Sequence, residues 1–490
     1  MWRSWSLVLV TAAACGPLAE APPAPPAGQP VGGGDGKADD PGDGPAPWDV
    51  RDGEARREVL IAELTRHNAG LAPADRAAKY AAMRETPFAF FRGSAHLFFF
   101  DLASEDRVGQ SSFGADDAVT WVQGDAHADN FGALDDDGGT VVYDLTDFDD
   151  SLPASYLHDV WRLATSVALV ADANQLDADE ASDAVDALAG AYVDRIDEVR
   201  GPDNDEEHGA QLTAADAYGR LDEFLEDVER DGDRRAMLDD FTVEDGGERL
   251  FALDPAELAA VTEEERTALV AGIAAYRGGV AGPHRGDAGF FRVEDVARRL
   301  DQGIGSLGTA RYFALVAGET ADPDDDRILD IKREGTPSLV PFLPEDERLR
   351  FAEQFPEEEA GCRVAEAERA LLAHAEDQIG CLSAMGESFS VRERSPFKDA
   401  LDTDELDTGE RLRKLAEQWA WLLAGAHARA DRDFDPIYVD TSFDDSVWPL
   451  LDGRRGEFAG EVGGLALDYT AQVLADHALF VDALDDGSLE

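Results

Sequence analysis

The sequence predicts an α+β fold, and three observations carry that expectation. Long stretches repeat apolar residues at helical spacing. Short β-branched and aromatic runs fall between them. After one Pro/Gly-rich tract that ends at Trp48, no comparable linker interrupts the 490 residues. The net charge is −61, with 104 Asp and Glu against 43 Lys and Arg. That leaves no broad basic surface, which excludes sequence-independent nucleic-acid binding and docking on anionic lipid through a polybasic patch. At 44% hydrophobic residues the chain is not compositionally disordered. Its length suits two or three domains or one large two-lobed one.

In chain order, Trp2-Arg3 precedes the apolar run Leu7–Ala14 and then Cys15-Gly16. One positive charge, a short apolar core and small residues before a break predict an export signal over 1–15. The run is too short to span a bilayer. Small residues directly before Cys15 resemble a lipoprotein processing site, so Cys15 is the expected lipidation site and the protein's expected hold on a bacterial envelope membrane. Residues 16–48 read as a disordered Pro/Gly/Asp tether. Cys362 and Cys381, the other two cysteines, are a candidate pair in an oxidising compartment.

The spacing predicts helices over 53–70, 155–173, 178–199, 214–229, 255–277, 345–376, 408–429 and 464–485. In 178–199, for example, Val185, Leu188, Ala189, Tyr192, Ile196 and Val199 recur at helical spacing. Strands are expected at Val119–Gln123, Val141–Leu145, Ala310–Ala317, Arg327–Lys332, Ile379–Met385 and Ser388–Arg392. The segment 131–145 reads as a hairpin, with the turn chemistry it needs at Asp135–Gly139.

Candidate chemistry surrounds that hairpin. QGDAHADNFG covers 123–132 and DLTDFDD covers 144–150. Phosphoryl transfer needs a carboxylate for the attacking hydroxyl and oxygen ligands for Mg²⁺ on the phosphates. A kinase catalytic loop supplies Asp and Asn five residues apart, and an Asp after a hairpin completes the metal set. On this pattern Asp125 is the base, and Asn130, Asp147 and Asp149 are the metal ligands. His127 lies inside the loop as a hydrogen-bonding or substrate-contacting residue. Asp159, at the start of the next helix, is expected to brace the loop or simply to favour the helix dipole.

Nucleotide-binding parts follow later in the chain. GIGSLG at 303–308 fits a glycine loop through Gly303, Gly305, Ser306 and Gly308, and a strand follows it rather than the helix of a dinucleotide-binding unit. The next strand ends at Lys332, in ILDIK. A helix then carries Glu366, a candidate partner for Lys332, and ERSPFKD at 393–399 is the candidate connection between lobes. This is the order of a kinase upper lobe, placed after the catalytic loop instead of before it. The expected fold is therefore a circularly permuted, bilobal, protein-kinase-like one. Residues 49–284 form the catalytic lower lobe, 285–399 the nucleotide-binding upper lobe and 400–490 the remaining lower-lobe helices.

The stretches TPFAFFRGSAHLFFFDL, QGDAHADNFG, YDLTDFDDS, DVWRLATSVALVA, GIGSLGTARYFALVAG, RVAEAERAL and LAGAHARAD resemble the bacterial domain of unknown function 2252 family over most of 55–435. The resemblance implies a kinase-like fold similar to aminoglycoside phosphotransferases and no established substrate. The family commonly has Asn where this chain has Thr146, and a VKEA-like lysine motif where this chain has IKREG. Arg92, in the family's FRG segment, is a candidate phosphate or substrate contact. His427 and Arg429 match its AHAR motif. The functional expectation is a phosphotransferase using Mg²⁺ and ATP on an unknown acceptor. The alternative is a catalytically silent kinase-like binding or scaffold lipoprotein.

Overall fold

From Leu157 to Ala171 every residue of helix Leu157–Ala173 is buried, and the rest of the helical core is built around it. Helices Ala178–Val199, Gly409–Arg429 and Arg455–Asp485 pack on it, and the first of them also packs on the other two, each contributing an apolar stripe. The computed structural model describes residues 46–489 apart from 202–208, 246–247, 255, 301–302 and 321. The expected signal segment 1–15, Cys15 and the tether through residue 45 lie outside the described residues.

Strands β1 (Val119–Val122), β2 (Phe131–Asp135), β3 (Val141–Leu145) and β4 (Leu152–Ser155) lie in the helical part of the molecule. β2 and β3 form the expected antiparallel hairpin, and β1 pairs with β4. β5 (Thr242–Asp245) and β6 (Glu248–Phe251) make a small hairpin of their own. A six-stranded antiparallel sheet follows from β7 (Leu258–Ala260), β8 (Val293–Arg299), β9 (Arg311–Val316), β10 (Arg327–Arg333), β11 (Gly380–Ala384) and β12 (Glu387–Glu393). Its strand order is β11-β12-β10-β9-β8-β7. Leu329, Ile331 and Val391 point to one face, where helix Glu263–Tyr276 covers them with Leu269, Ile273 and Tyr276. The whole is a mixed α+β structure, as the sequence predicts.

Several boundaries differ from the sequence expectation for identifiable reasons. The segment 255–277 opens as strand β7, and its helix starts only at Glu263, where Thr262 and Glu265 form a capping box. The helix expected over 345–376 is broken into Glu345–Gln354 and Ala360–Leu371, with Pro356 between them. The helix expected over 214–229 starts late, at Arg220, after Gly219 at φ +82°. Helices Pro87–Gly93 and Ala95–Ser104 were not legible, because the Phe-rich run through 88–100 shows no helical period, and helix Pro73–Met83 was not read either. Trp48, expected as the end of the tether, is instead buried edge-on against Tyr469, with its indole N–H donating to Gln472 Oε1 at 3.3 Å. Nearby, Arg56 bridges Asp101 and Asp476 at 2.6–2.8 Å, which fastens the first described helix to the last.

Candidate functional site

The loop after β1 is set by backbone geometry. Gly124 has φ +86°, and a Cβ there would lie 1.9 Å from the Asp150 carbonyl oxygen, so only glycine allows the two loops to pass. Asp159 braces this loop from the first turn of its helix. Its carboxylate accepts the N–H groups of Gln123 at 2.6 Å and Gly124 at 2.9 Å. His427 Nε2 lies 3.2 Å from the same carboxylate, and Tyr192 holds the other ring nitrogen at 2.8 Å. The AHAR histidine thus acts through Asp159 on the loop, a role the sequence did not disclose. Arg429, in the same motif, donates to the Leu371 carbonyl at 2.9 Å.

Asp125 is held by the buried Arg162 guanidinium, which also donates to the Phe91 carbonyl. Burial pushes the Asp125 carboxyl up to about 7, against the pull of Arg162. His127 Nε2 stands 3.7 Å from Asp125, and burial keeps that imidazole neutral, well below its usual range. Asn130 donates through Nδ2 to the Asp125 carbonyl at 3.0 Å, which closes the loop on itself.

Lys332 comes from the end of β10. Its Nζ lies 3.3 Å from Asp147 Oδ1 and is ion-paired with Asp149. Burial works to raise the Asp147 carboxyl, but the Lys332 ammonium holds it below the usual carboxylate range. Burial and the neighbouring Asp147 push Asp149 well above it. The two carboxylates therefore share one site with unequal proton affinity. Asp147, Asp149, Asn130, Lys332 and Arg92 line one cavity of about 340 Å³. Arg92 pairs there with Asp129 at 2.6 Å. The expected connecting segment also reaches it. Lys398 and Asp399 line the cavity, and the Asp399 carbonyl accepts the Ala133 N–H at 2.8 Å.

Several of the expected site residues stand apart from this cavity. Glu366 pairs with Arg369 one turn on and stands outside this cavity's lining. From that helix Val364 and Glu368 line the cavity, and Glu368 pairs with Arg392 at 2.8 Å. Gly303, Gly305 and Gly308 do not line the cavity either. Ile304–Ser306 is a short 3-10 turn that packs on helices Pro73–Met83 and Pro87–Gly93, and Gly308, at φ +85°, leaves room for Asp75 and Leu71. Asp125 and His127 are not part of the lining, and Asp125 is tied to the lining residue Asn130 through its carbonyl. Two further residues of the site escaped the sequence reading. Arg311 and Asp330 form a two-bond ion pair on the cavity wall. The signal was present in ILDIK: an Asp two before Lys332 on a strand shares its face.

Cys362 and Cys381 pair, joining helix Ala360–Leu371 to β11. Among the described residues, no group of three His, Cys, Asp or Glu side chains forms a metal-binding set, and no helix is long and apolar enough to cross a membrane.

Fold and site together define an α+β protein whose helical part and large sheet meet at a charged cavity carrying paired carboxylates and a lysine. The chain belongs to the DUF2252 family, described as uncharacterized proteins conserved in bacteria, whose model matches residues 71–483. No curated protein matches the chain. No solved structure matches it either.

Proposed function

We propose that the protein is a kinase-like phosphotransferase that uses Mg²⁺ and ATP on an acceptor hydroxyl. One observation carries this reading: Lys332 and Asp147, 185 residues apart in sequence, approach to 3.3 Å at a cavity they share with Asn130. Local pairing cannot produce that contact, whereas a kinase-like cleft brings its lysine and its metal-binding Asp to the same phosphates. Asp147, Asp149 and Asn130 supply the hard oxygen donors that Mg²⁺ takes, with phosphate and water completing its shell. Bound there, Mg²⁺ would neutralise the charge of the donor phosphates. Lys332, now satisfied by the two carboxylates, would turn to those phosphates. Asp125 would take the acceptor proton as the acceptor oxygen bonds to the terminal phosphorus. The bond from that phosphorus to the β,γ-bridging oxygen would break, and ADP would leave.

The permuted bilobal reading rests on the sheet meander. The glycine segment lies between β8 and β9, the lysine ends β10, a helix follows, and a strand pair leads into the 393–399 connection. The contact between the first and last described helices favours a permutation, which needs neighbouring termini. Export as a lipoprotein through Cys15 is part of the proposal, and the Cys362–Cys381 pair suits the oxidising side of a membrane.

Asp125→Asn and Asp147→Asn test the roles. The first is expected to lower turnover at least about 100-fold while nucleotide binding stays near wild type. The second is expected to weaken Mg²⁺-nucleotide binding itself. Wild-type transfer rates in both variants would overturn the assignment, and nucleotide binding by a wild type without turnover would favour the silent scaffold.

A further inference from the structure

The connecting segment 393–399 presents one cation where three cavities meet. Lys398 lines the charged cavity of about 340 Å³. It also lines an adjoining, mostly apolar pocket between Leu134, Leu145, Leu372 and Ile379, and a third cavity of about 390 Å³ beside Phe224 and Phe397. Backbone contacts hold it there. The Lys398 N–H donates to the Ser395 carbonyl at 3.3 Å, the Phe397 N–H to Ser395 Oγ at 3.0 Å, and the next carbonyl, of Asp399, accepts the Ala133 N–H at 2.8 Å.

The basic side chains around Lys398 are satisfied by acids. Arg311 donates to Asp330 at 2.7 Å, Arg392 holds Glu368 at 2.8 Å and the Thr146 carbonyl at 3.1 Å, Arg92 pairs with Asp129 at 2.6 Å, and Lys332 pairs with Asp147 and Asp149. Arg299 reaches Asp330 at 3.6 Å, and Arg394 stacks 4.7 Å from the Phe241 ring centre. Lys398 differs. Among the described residues its ammonium makes neither a hydrogen bond nor an ion pair, in a chain with 104 Asp and Glu to draw on. Loss of water in the cleft, and then the nearby Arg392 and Arg311, push that ammonium well below the usual lysine range, with Asp330 pulling the other way. A lysine on an open, solvated surface would carry no such strain. An anion bound beside Lys398 would relieve it and gain a charge-assisted hydrogen bond.

We infer that Lys398 is a ligand-binding residue of the cleft, its ammonium receiving a phosphate group of the bound substrate. This rests on the phosphotransferase reading and adds to it a residue of the connecting segment. The phosphate has two possible sources, the chain of the donor or a phosphorylated acceptor reaching Lys398 through the third cavity.

Amine acylation of the full chain at pH 8, read lysine by lysine by peptide mass spectrometry, tests it, and the five lysines of the sequence make the readout simple. The chain is labelled alone, with MgATP, and with MgATP plus inorganic phosphate, while calorimetry reports separately whether MgATP binds. Lys398 labelling is expected to slow at least about fivefold at saturating ligand, with Lys414 unchanged as the reference. Protection by MgATP alone assigns the phosphate to the donor, and protection only after phosphate is added assigns it to the acceptor. Lys398→Gln is expected to weaken binding of the protecting probe about tenfold, and Lys398→Arg to keep it within about threefold. MgATP binding with Lys398 labelled equally in every arm would overturn the inference and leave the donor site standing. No MgATP binding and no protection in any arm would remove both.

Discussion

At the scale of single residues, the buried charges and imidazoles set the behaviour. His96 is 1% exposed, stacks on His67 with ring centres 3.9 Å apart, and has no hydrogen-bond partner on either ring nitrogen. Burial holds it neutral well below 6.5, and His67, Lys79, Arg66 and Arg162 all add to that depression. A histidine lowered on folding takes up its proton in the unfolded chain first. Its contribution to stability is therefore intact above about 6.5 and is lost as the pH falls below that. His96→Leu removes two unsatisfied buried nitrogens together with this titration. The variant is expected to be at least as stable as wild type at pH 7.5. Between pH 7.5 and 5.5 it should lose about 1.4 kcal/mol less than wild type in urea unfolding. An identical acid loss in both proteins would contradict the neutral buried imidazole. The same scale shows what sequence could and could not disclose. Asn130, Asp147 and Lys332 were singled out by residue type and spacing, and the three line one cavity. Asp330 left a signal two residues before Lys332, but Arg311 did not, because its ion pair with Asp330 on the neighbouring strand depends on a register that no local pattern records.

At the scale of elements, the loop after β1 is the most constrained piece. Gly124→Ala would set a methyl against the Asp150 carbonyl in a left-handed backbone, and the loop would have to move off Asp159. A cost of about 2 kcal/mol or more in unfolding free energy is expected, with loss of turnover. Wild-type stability in that variant would mean that the close pass is not required. The disulfide ties helix Ala360–Leu371 to β11 across 19 residues, so Cys362→Ser with Cys381→Ser is expected to cost about 3 kcal/mol. An unchanged unfolding midpoint would contradict it. Element boundaries were least legible where tertiary packing overrides local pattern. Pro356 ended a helix that periodicity carried onward. Conversely, G-x-G-x-x-G matched a local pattern in which Gly308 serves a tight pass against Asp75 and none of the three glycines lines the cavity.

At the scale of the whole molecule, two distant stretches of chain are brought to one cavity, and the proposed activity stands on that meeting. The strand meander and the helices were legible from periodicity, and the order of motifs pointed to one shared site. How the Phe-rich helices and the long final helix close around it was not, since their pairing is set by long-range packing and by the buried Arg56–Asp101–Asp476 contacts. The most direct test is calorimetric binding of ATP, with and without Mg²⁺, to wild type, Asp147→Asn and Lys332→Met. The account predicts Mg²⁺-dependent binding by the wild type and at least about tenfold weaker binding by each variant, because each loses a charged contact to one ligand. Wild-type affinity in both variants, or binding indifferent to Mg²⁺, would contradict it.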